Sequence, residues 1–240
     1  MSPPTQAAPT TFKILPIEET DIYEALVASE AAFKFHYTLM YTSPLSPASL
    51  EKKAASRAST FPTEASQDIY NFKAVDDATG KIVASSRWSI HHSAEFDPRT
   101  IAECVEAKIK LDLPELNRDV ARALYREINI ARRETLAVPP DNGEALEIEN
   151  GCMVRKHIEL EGLSVHPEYQ RRGIAKALLQ WGLEEADRLG LDVYLEATED
   201  GKPFYALFGF ETVRIVAFED REFATMIRPA KKPTENEASH

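Results

Sequence analysis

The rhythm of apolar and polar residues changes along this chain, and each change marks an element. Phe12–Ile17 alternates weakly and reads as a first strand. Glu18 to Asp21 offers cap chemistry, and Ile22, Leu26, Val27 and Ala31 then recur at helical spacing, predicting a helix over 22–35. Residues 42–66, rich in Ser, Pro, Ala and Thr, read as a long connection holding a short helix near Ser49–Arg57. Ile69–Val75 and Lys81–Ile90 alternate on either side of turn residues Asp76 to Gly80, which is a hairpin. Residues 95–137 read as helical: Pro98–Ile109, then Leu116–Leu136 with an apolar stripe at Leu116, Val120, Ala123, Leu124, Ile128 and Ala131. Pro139 to Gly143 ends that stretch, and an acidic loop follows to Gly151.

The second half is more regular. His157–Val165 reads as a strand, Gly173–Leu189 as an apolar helix closed by Gly190, and Val193–Ala197 as a short strand. Pro203–Phe208 reads as a short helix, and Thr212–Phe218 with Phe223–Ile227 as a closing hairpin. Strand, helix, strand over 157–197 is a βαβ crossover, so those two strands should be parallel. Hairpins on both sides make the rest of the sheet antiparallel. The expected fold class is α/β: a mixed, mostly antiparallel central sheet flanked by helices, in one domain over 12–228. The polar stretches 1–11 and 229–240 are expected to be disordered tails.

Charge narrows the partners. The formal net charge is −11, which repels nucleic-acid phosphates unless a basic patch concentrates the positive charge. The one dense basic spot near a candidate site, Gln170-Arg171-Arg172-Gly173, is too short for a nucleic-acid groove but suits one pyrophosphate. The longest apolar runs are only a few residues, so no membrane span is expected. The start of the chain lacks a positive, apolar leader, and Cys104 and Cys152 have no metal-ligand spacing. A cytoplasmic, reducing location is therefore the expectation.

Between the strand ending at Val165 and the helix beginning near Gly173 stands His166-Pro167-Glu168-Tyr169-Gln170-Arg171-Arg172-Gly173-Ile174-Ala175. A helix that starts on Gly-x-Ala exposes unpaired N–H groups with no bulky Cβ in the way, at the positive end of its dipole. Leu163-Ser164-Val165-His166-Pro167 directly precedes this turn, and Phe204-Tyr205-Ala206-Leu207-Phe208-Gly209-Phe210 follows two elements later. Leu-x-Val-x-Pro-x-x-Gln-Arg-x-Gly-x-Ala before an apolar helix resembles the acetyl-coenzyme A signature of the GNAT superfamily of N-acetyltransferases. The resemblance is strong over 156–213 and rests on element order alone over 12–90 and 214–228.

That resemblance implies acetyl-coenzyme A as cosubstrate, no metal, and an amine acceptor, either a small molecule or a peptide. It implies that main-chain groups at Arg171, Arg172, Gly173, Ile174, Ala175 and Lys176, with Gln170, hold the pyrophosphate. The strand at Leu163, Ser164 and Val165 would run beside the pantetheine arm, splayed from the next strand. Tyr205 stands where many members keep a tyrosine that protonates the leaving thiolate; the alternative is simple packing on the coenzyme. Glu159, fourteen positions before Gly173, is the implied base, with Glu161 two further on sharing its face in an unbulged strand; a water chain is the alternative. Glu161 and Glu196 are the implied acceptor-side carboxylates. Competing readings are transfer of another short acyl group, a coenzyme-binding regulatory module without turnover and, last, a nucleotide-binding module, for which no phosphate-loop motif is present.

Other residues receive plainer readings. His91, His92, His157 and His166 show no triad-like spacing, Cys152 reads as a small buried or loop residue, and Trp181 as a helix-face residue packed on a neighbouring helix. Residues 91–150 exceed what a minimal family member carries between these strands. They are expected to form a lid or wall selecting the acceptor, or else a packing or dimerisation appendage, so a homodimer stands among the expected partners.

Overall fold

A computed structural model describes residues 11–64, 67–141 and 143–231. The expected tails lie outside the described residues, apart from residue 11 and 229–231. In chain order the elements are β1 (Phe12–Pro16), α1 (Ile22–Met40), α2 (Pro47–Ala58), α3 (Phe61–Glu64), β2 (Ile69–Asp76), β3 (Ile82–His91), β4 (Glu95–Asp97), α4 (Ile101–Lys108) and α5 (Arg118–Leu136). There follow β5 (Cys152–Val154), β6 (His157–Val165), α6 (Ile174–Leu189), β7 (Val193–Thr198), α7 (Lys202–Ala206), β8 (Glu211–Phe218) and β9 (Arg221–Arg228). Among the described residues seven strands form one sheet in the order β1-β2-β3-β6-β7-β9-β8, and only β6 and β7 pair in parallel.

The crossover helix α6 is cut at both ends by glycines with positive φ, Gly173 at 83° and Gly190 at 63°. Ile174, Leu178, Leu179, Leu183 and Ala186 form its buried stripe. Ile158, Leu160, Val193 and Leu195 project from the sheet onto that stripe and build the main core. Contact is tightest at Gly182, where a Cβ would lie 2.3 Å from the ring of the fully buried Trp88. Trp181 departs from its expected packing. Its ring lies 4.9 Å from Tyr70 and 4.8 Å from Phe72, so it packs on strand β2, not on a helix.

Strand β6 is not regular. Its pairing with β3 runs Ser86↔Leu163, Arg87↔Gly162, then Trp88↔Leu160, so Glu161 is an extra residue in a β-bulge. The bulge explains an irregularity of the sequence: apolar residues fall at 158 and 160, then at 163 and 165. In a regular strand the two pairs would face opposite sides. Here the inserted residue resets the alternation, and all four side chains join the cores that enclose α6.

The long insertion is a packed layer. Its helix α5 starts on Asn117, whose side chain accepts from the Val120 N–H, and buries Ala121, Leu124, Ala131 and Leu136. Two three-residue strands, β4 and β5, join its ends as a small second sheet, where helix had been expected at 95–97. Arg133, 2% exposed, donates to the carbonyls of Ile148 at 2.5 Å and Arg99 at 2.6 Å, tying the loops down. Glu115, also buried, accepts from the Ser46 N–H at 2.9 Å and the Ser49 hydroxyl at 2.7 Å, docking the insertion on the start of α2. Helix α1 runs five residues past its expected end because Leu39 and Met40 pack with Ile109, Ala121 and Leu124 of the insertion.

Candidate functional site

Strands β6 and β7 stay together for only three pairs, Ile158↔Val193, Glu159↔Tyr194 and Leu160↔Leu195. Beyond them β6 remains bound to β3 as far as Val165, and β7 to β9 as far as Thr198. Each strand is thus held by its outer neighbour while a gap opens between them. That gap is a cleft of about 700 Å³. Leu163, Ser164 and Val165 line one wall, Glu196, Ala197 and Thr198 the other, and Tyr205 of α7 closes one side.

The head of the cleft is the turn before α6. Gln170 Nε2 donates to the Val165 carbonyl at 3.1 Å and fastens the turn to the end of the strand. Arg171 and Gly173 take left-handed conformations, φ 63° and 83°, with Arg172 between them. Alternation of this kind turns successive N–H groups toward one point, a concavity that receives anions. Gly173 caps α6 without a side-chain hydrogen bond, and the Ala177 N–H is bonded to the Gly173 carbonyl at 3.1 Å. The N–H groups of Ile174, Ala175 and Lys176 therefore precede the helical ladder and face outward from its positive end.

Of the residues singled out in the sequence, Leu163, Ser164, Val165, Gln170, Arg171, Gly173, Ile174, Ala175, Lys176, Glu161, Glu196 and Tyr205 line this one cleft. Arg172 and Glu159 do not. Arg172 bends back, donating to the Glu168 carbonyl at 2.7 Å, with its guanidinium 5.1 Å from the centre of the Tyr169 ring. Tyr205 is buried between Phe204 and Phe210, and burial pushes its phenol up from the ordinary tyrosine value. It therefore keeps its proton at neutral pH and gives it up less readily than an exposed tyrosine.

Three carboxylates were candidates for the acceptor side, and their surroundings differ. Glu161, in the bulge, is ion-paired to Arg87 at 2.7 Å. Glu159 is ion-paired at 2.6 Å to Arg132 of the inserted helix. Burial alone would push the Glu159 carboxyl up, but the charge and hydrogen bond of Arg132 outweigh it and hold the group well below the usual range. A carboxylate held so firmly in its ionised form is a weak proton acceptor at neutral pH, and it lies outside the cleft lining. On both counts Glu159 is less well placed for the role of base than a carboxylate that lines the cleft. Glu196 accepts from the Tyr194 hydroxyl at 2.9 Å, and no cation lies within ion-pair distance of it among the described residues. The side chain is exposed to the cleft, and the protein packed around its carboxyl, then the charge of Glu159, push that carboxyl up.

Around these groups the structure assembles residues that the sequence reading left out. Arg132 sits 5.9 Å from the centre of the Tyr194 ring. Tyr125, also on α5, feels the charges of both Glu196 and Glu30. The helical stripe pointed to the apolar side of α5, and nothing in its spacing told which polar residue would reach the sheet. His91 and His157 stack with ring centres 4.4 Å apart, and their nitrogens lie within 4.8 Å of each other and of the Glu159 carboxylate. That arrangement offers metal-ligating atoms, but the Arg132 guanidinium already supplies the carboxylate with its cation.

Comparison with known proteins agrees with this geometry. Residues 111–210 match the model of the acetyltransferase (GNAT) family. Over 42 residues the chain is 45% identical to “Probable acyltransferase SID5” of Ajellomyces capsulatus, covering 18% of this chain and 31% of that protein. Over 64 residues it is 40% identical to “Uncharacterized N-acetyltransferase YafP” of Escherichia coli K12, covering 27% of this chain and 40% of the other. These matches thus span well under half of either relative's length. A crystal structure from Corynebacterium glutamicum, described as histone acetyltransferase HPA2 and related acetyltransferase, superposes with a TM-score of 0.54. That likeness covers 93% of this chain and 99% of the other at 16% identity, and it speaks to the fold. No helix among the described residues is long and apolar enough to cross a membrane.

Proposed function

The chain carries a GNAT-family acetyltransferase domain, and on that premise we propose that it transfers an acetyl group from acetyl-coenzyme A to a primary amine by direct attack in a ternary complex. The observation that carries this reading is the single cleft that joins the splayed strands, the left-handed turn at Arg171–Gly173 and Tyr205. Each part suits one portion of the coenzyme. The turn and the first N–H groups of α6 would hold the pyrophosphate. The unpaired edge of β6 at Leu163–Val165 would take the amide groups of the pantetheine arm as an added strand does. The thioester then lies toward the closed end of the gap, near Tyr205 and Glu196.

Holding the amine beside the thioester carbonyl supplies much of the rate, and acid–base help adds about 10²–10⁴-fold. The amine nitrogen attacks the carbonyl carbon, the C–N bond forms, and the C–S bond breaks. Tyr205 gives its proton to the departing thiolate and recovers one from the new amide nitrogen. The acceptor is a small-molecule or peptide amine, and the acidity of the chamber favours one that arrives as a cation.

The test is release of free thiol from acetyl-coenzyme A in the presence of putrescine, lysine and a short peptide with a free N-terminus. Amine-dependent release supports the transferase. Calorimetric binding of acetyl-coenzyme A with no release for any amine would leave a coenzyme-binding module.

A further inference from the structure

The insertion brings a cation to the transfer site, and the choice among three carboxylates follows from where that cation sits. We propose that Glu196 is the carboxylate that takes the proton from a cationic amine acceptor, and that Arg132 is the positioning residue that keeps Glu159 out of that role. This rests on the transferase reading above and goes beyond it by assigning the acceptor-side proton.

Geometry carries the assignment. Glu161 and Glu159 each hold an arginine, at 2.7 and 2.6 Å. Both are paired anions, and an incoming ammonium would have to displace a guanidinium to reach either. Glu196 has only the Tyr194 hydroxyl, on one oxygen, and it lines the cleft opposite the coenzyme wall. Its second oxygen is left for an ammonium. The charged and titratable groups around it are few. They are Glu159 of β6, Tyr194 of its own strand, Lys108 of α4, and Arg132 and Tyr125 of α5, with Glu30 of α1 beyond Tyr125. Glu196 opens on the cleft, yet the protein packed around its carboxyl and the Glu159 charge make it readier to accept a proton than a glutamate free in solvent. Arg132 acts the other way on Glu159.

The proton balance closes. The ammonium passes one proton to the Glu196 carboxylate and becomes a neutral amine. Attack, loss of the nitrogen's second proton and departure of the thiol follow as described above. Glu196 then returns its proton to solvent, so the net products are the amide, free coenzyme thiol and one proton.

The experiment follows glutamate carboxyl titrations by nuclear magnetic resonance in ¹³C-glutamate-labelled protein, alongside acceptor kinetics with the best amine of the panel. In the wild type, one carboxyl should titrate above the ordinary glutamate range. It should vanish in E196Q, move down in E159Q, and keep its place in R132K. In R132Q, Glu159 keeps only the His157 ring, 3.6 Å away, and its carboxyl should move up. E196Q should lose at least a hundredfold in kcat/KM for the amine while keeping its coenzyme affinity. E159Q should stay active, with the acid limb of its pH profile displaced downward. If E196Q proves unfolded, Glu196→Asp is the substitute, and the same loss of turnover is expected from its shorter reach. An upper carboxyl that survives in E196Q and disappears in E159Q overturns the assignment, as does wild-type turnover in E196Q. Absence of turnover in the wild type with every amine would instead overturn the transferase reading itself.

Discussion

The corner proposed for the coenzyme and the chamber proposed for the acceptor belong to the same gap, yet they are made of different material. The corner is main chain: a left-handed turn, the first N–H groups of one helix and the free edge of one strand, drawn from residues 163–176. The chamber is side chains: Glu161 on one strand and Glu196 on the next line it, with Glu159, Tyr194, Arg132 and Tyr125 set behind them. A backbone device needs small residues in the right order and tolerates changes elsewhere. A side-chain device depends on the identity of each member. The first can grip a coenzyme common to many acceptors, and the second can specify one of them.

The sharpest way to break this division is Tyr205→Phe. It should lower kcat by about 10²–10⁴-fold, the range of general acid help, with coenzyme affinity unchanged by calorimetry. Unaltered turnover would make Tyr205 part of the binding surface only. Next in size is Gly173→Val. Open space surrounds the position, so no clash is expected, but a β-branched residue at φ 83° is strained. A cost of about 1–3 kcal/mol for such a conformation corresponds to a 5- to 150-fold weaker coenzyme complex if the turn rearranges. Equal affinity would remove the turn from the site.

The smallest effect concerns how the chamber is held in place. Hydrogen bonds from the Ser49 hydroxyl and the Ser46 N–H hold the Glu115 carboxyl down at about 2. Its folded value lies below its unfolded one, so its contribution to stability is complete above the ordinary glutamate value of 4.5 and is lost as pH falls toward 2. Glu115→Gln should therefore lower the melting temperature at pH 7 and narrow the gap to the wild type as the medium is acidified. A gap that widens with acid would show that this carboxylate does not fasten the insertion.

The same division explains what the sequence disclosed. The corner is contiguous: the turn from His166 to Ala175, the strand before it and the helix after it can be read in order, and its glycine does one conformational job. The central sheet was legible for the same reason, since its hairpins and its crossover each announce themselves within about forty residues. The chamber was hidden because its members meet only in space. Arg132 and Glu159 lie 27 positions apart, and α5 carries seven other arginines and acids whose spacing is no different. Strands β4 and β5 were missed because three residues are too few for alternation to register. The end of α1 was placed early because its last turn is stabilised by Ile109 and Leu124, far along the chain. In the bulge the clue was present, as apolar residues that changed phase between Leu160 and Leu163, and it needed the partner strand to be understood.

That extra residue on β6 sits just past Leu160, the last residue the strand pairs with β7, and it shapes the course of the backbone more than the face it presents. Were Glu161 deleted, Ile158, Leu160, Leu163 and Val165 would keep the α6 face by plain alternation, but the bend and added twist that the bulge puts where β6 leaves β7 would be lost. Relatives of this chain that keep the parting of the two strands should therefore keep two residues between the counterparts of Leu160 and Leu163, whereas one residue there should give a regular strand with the same helix packing.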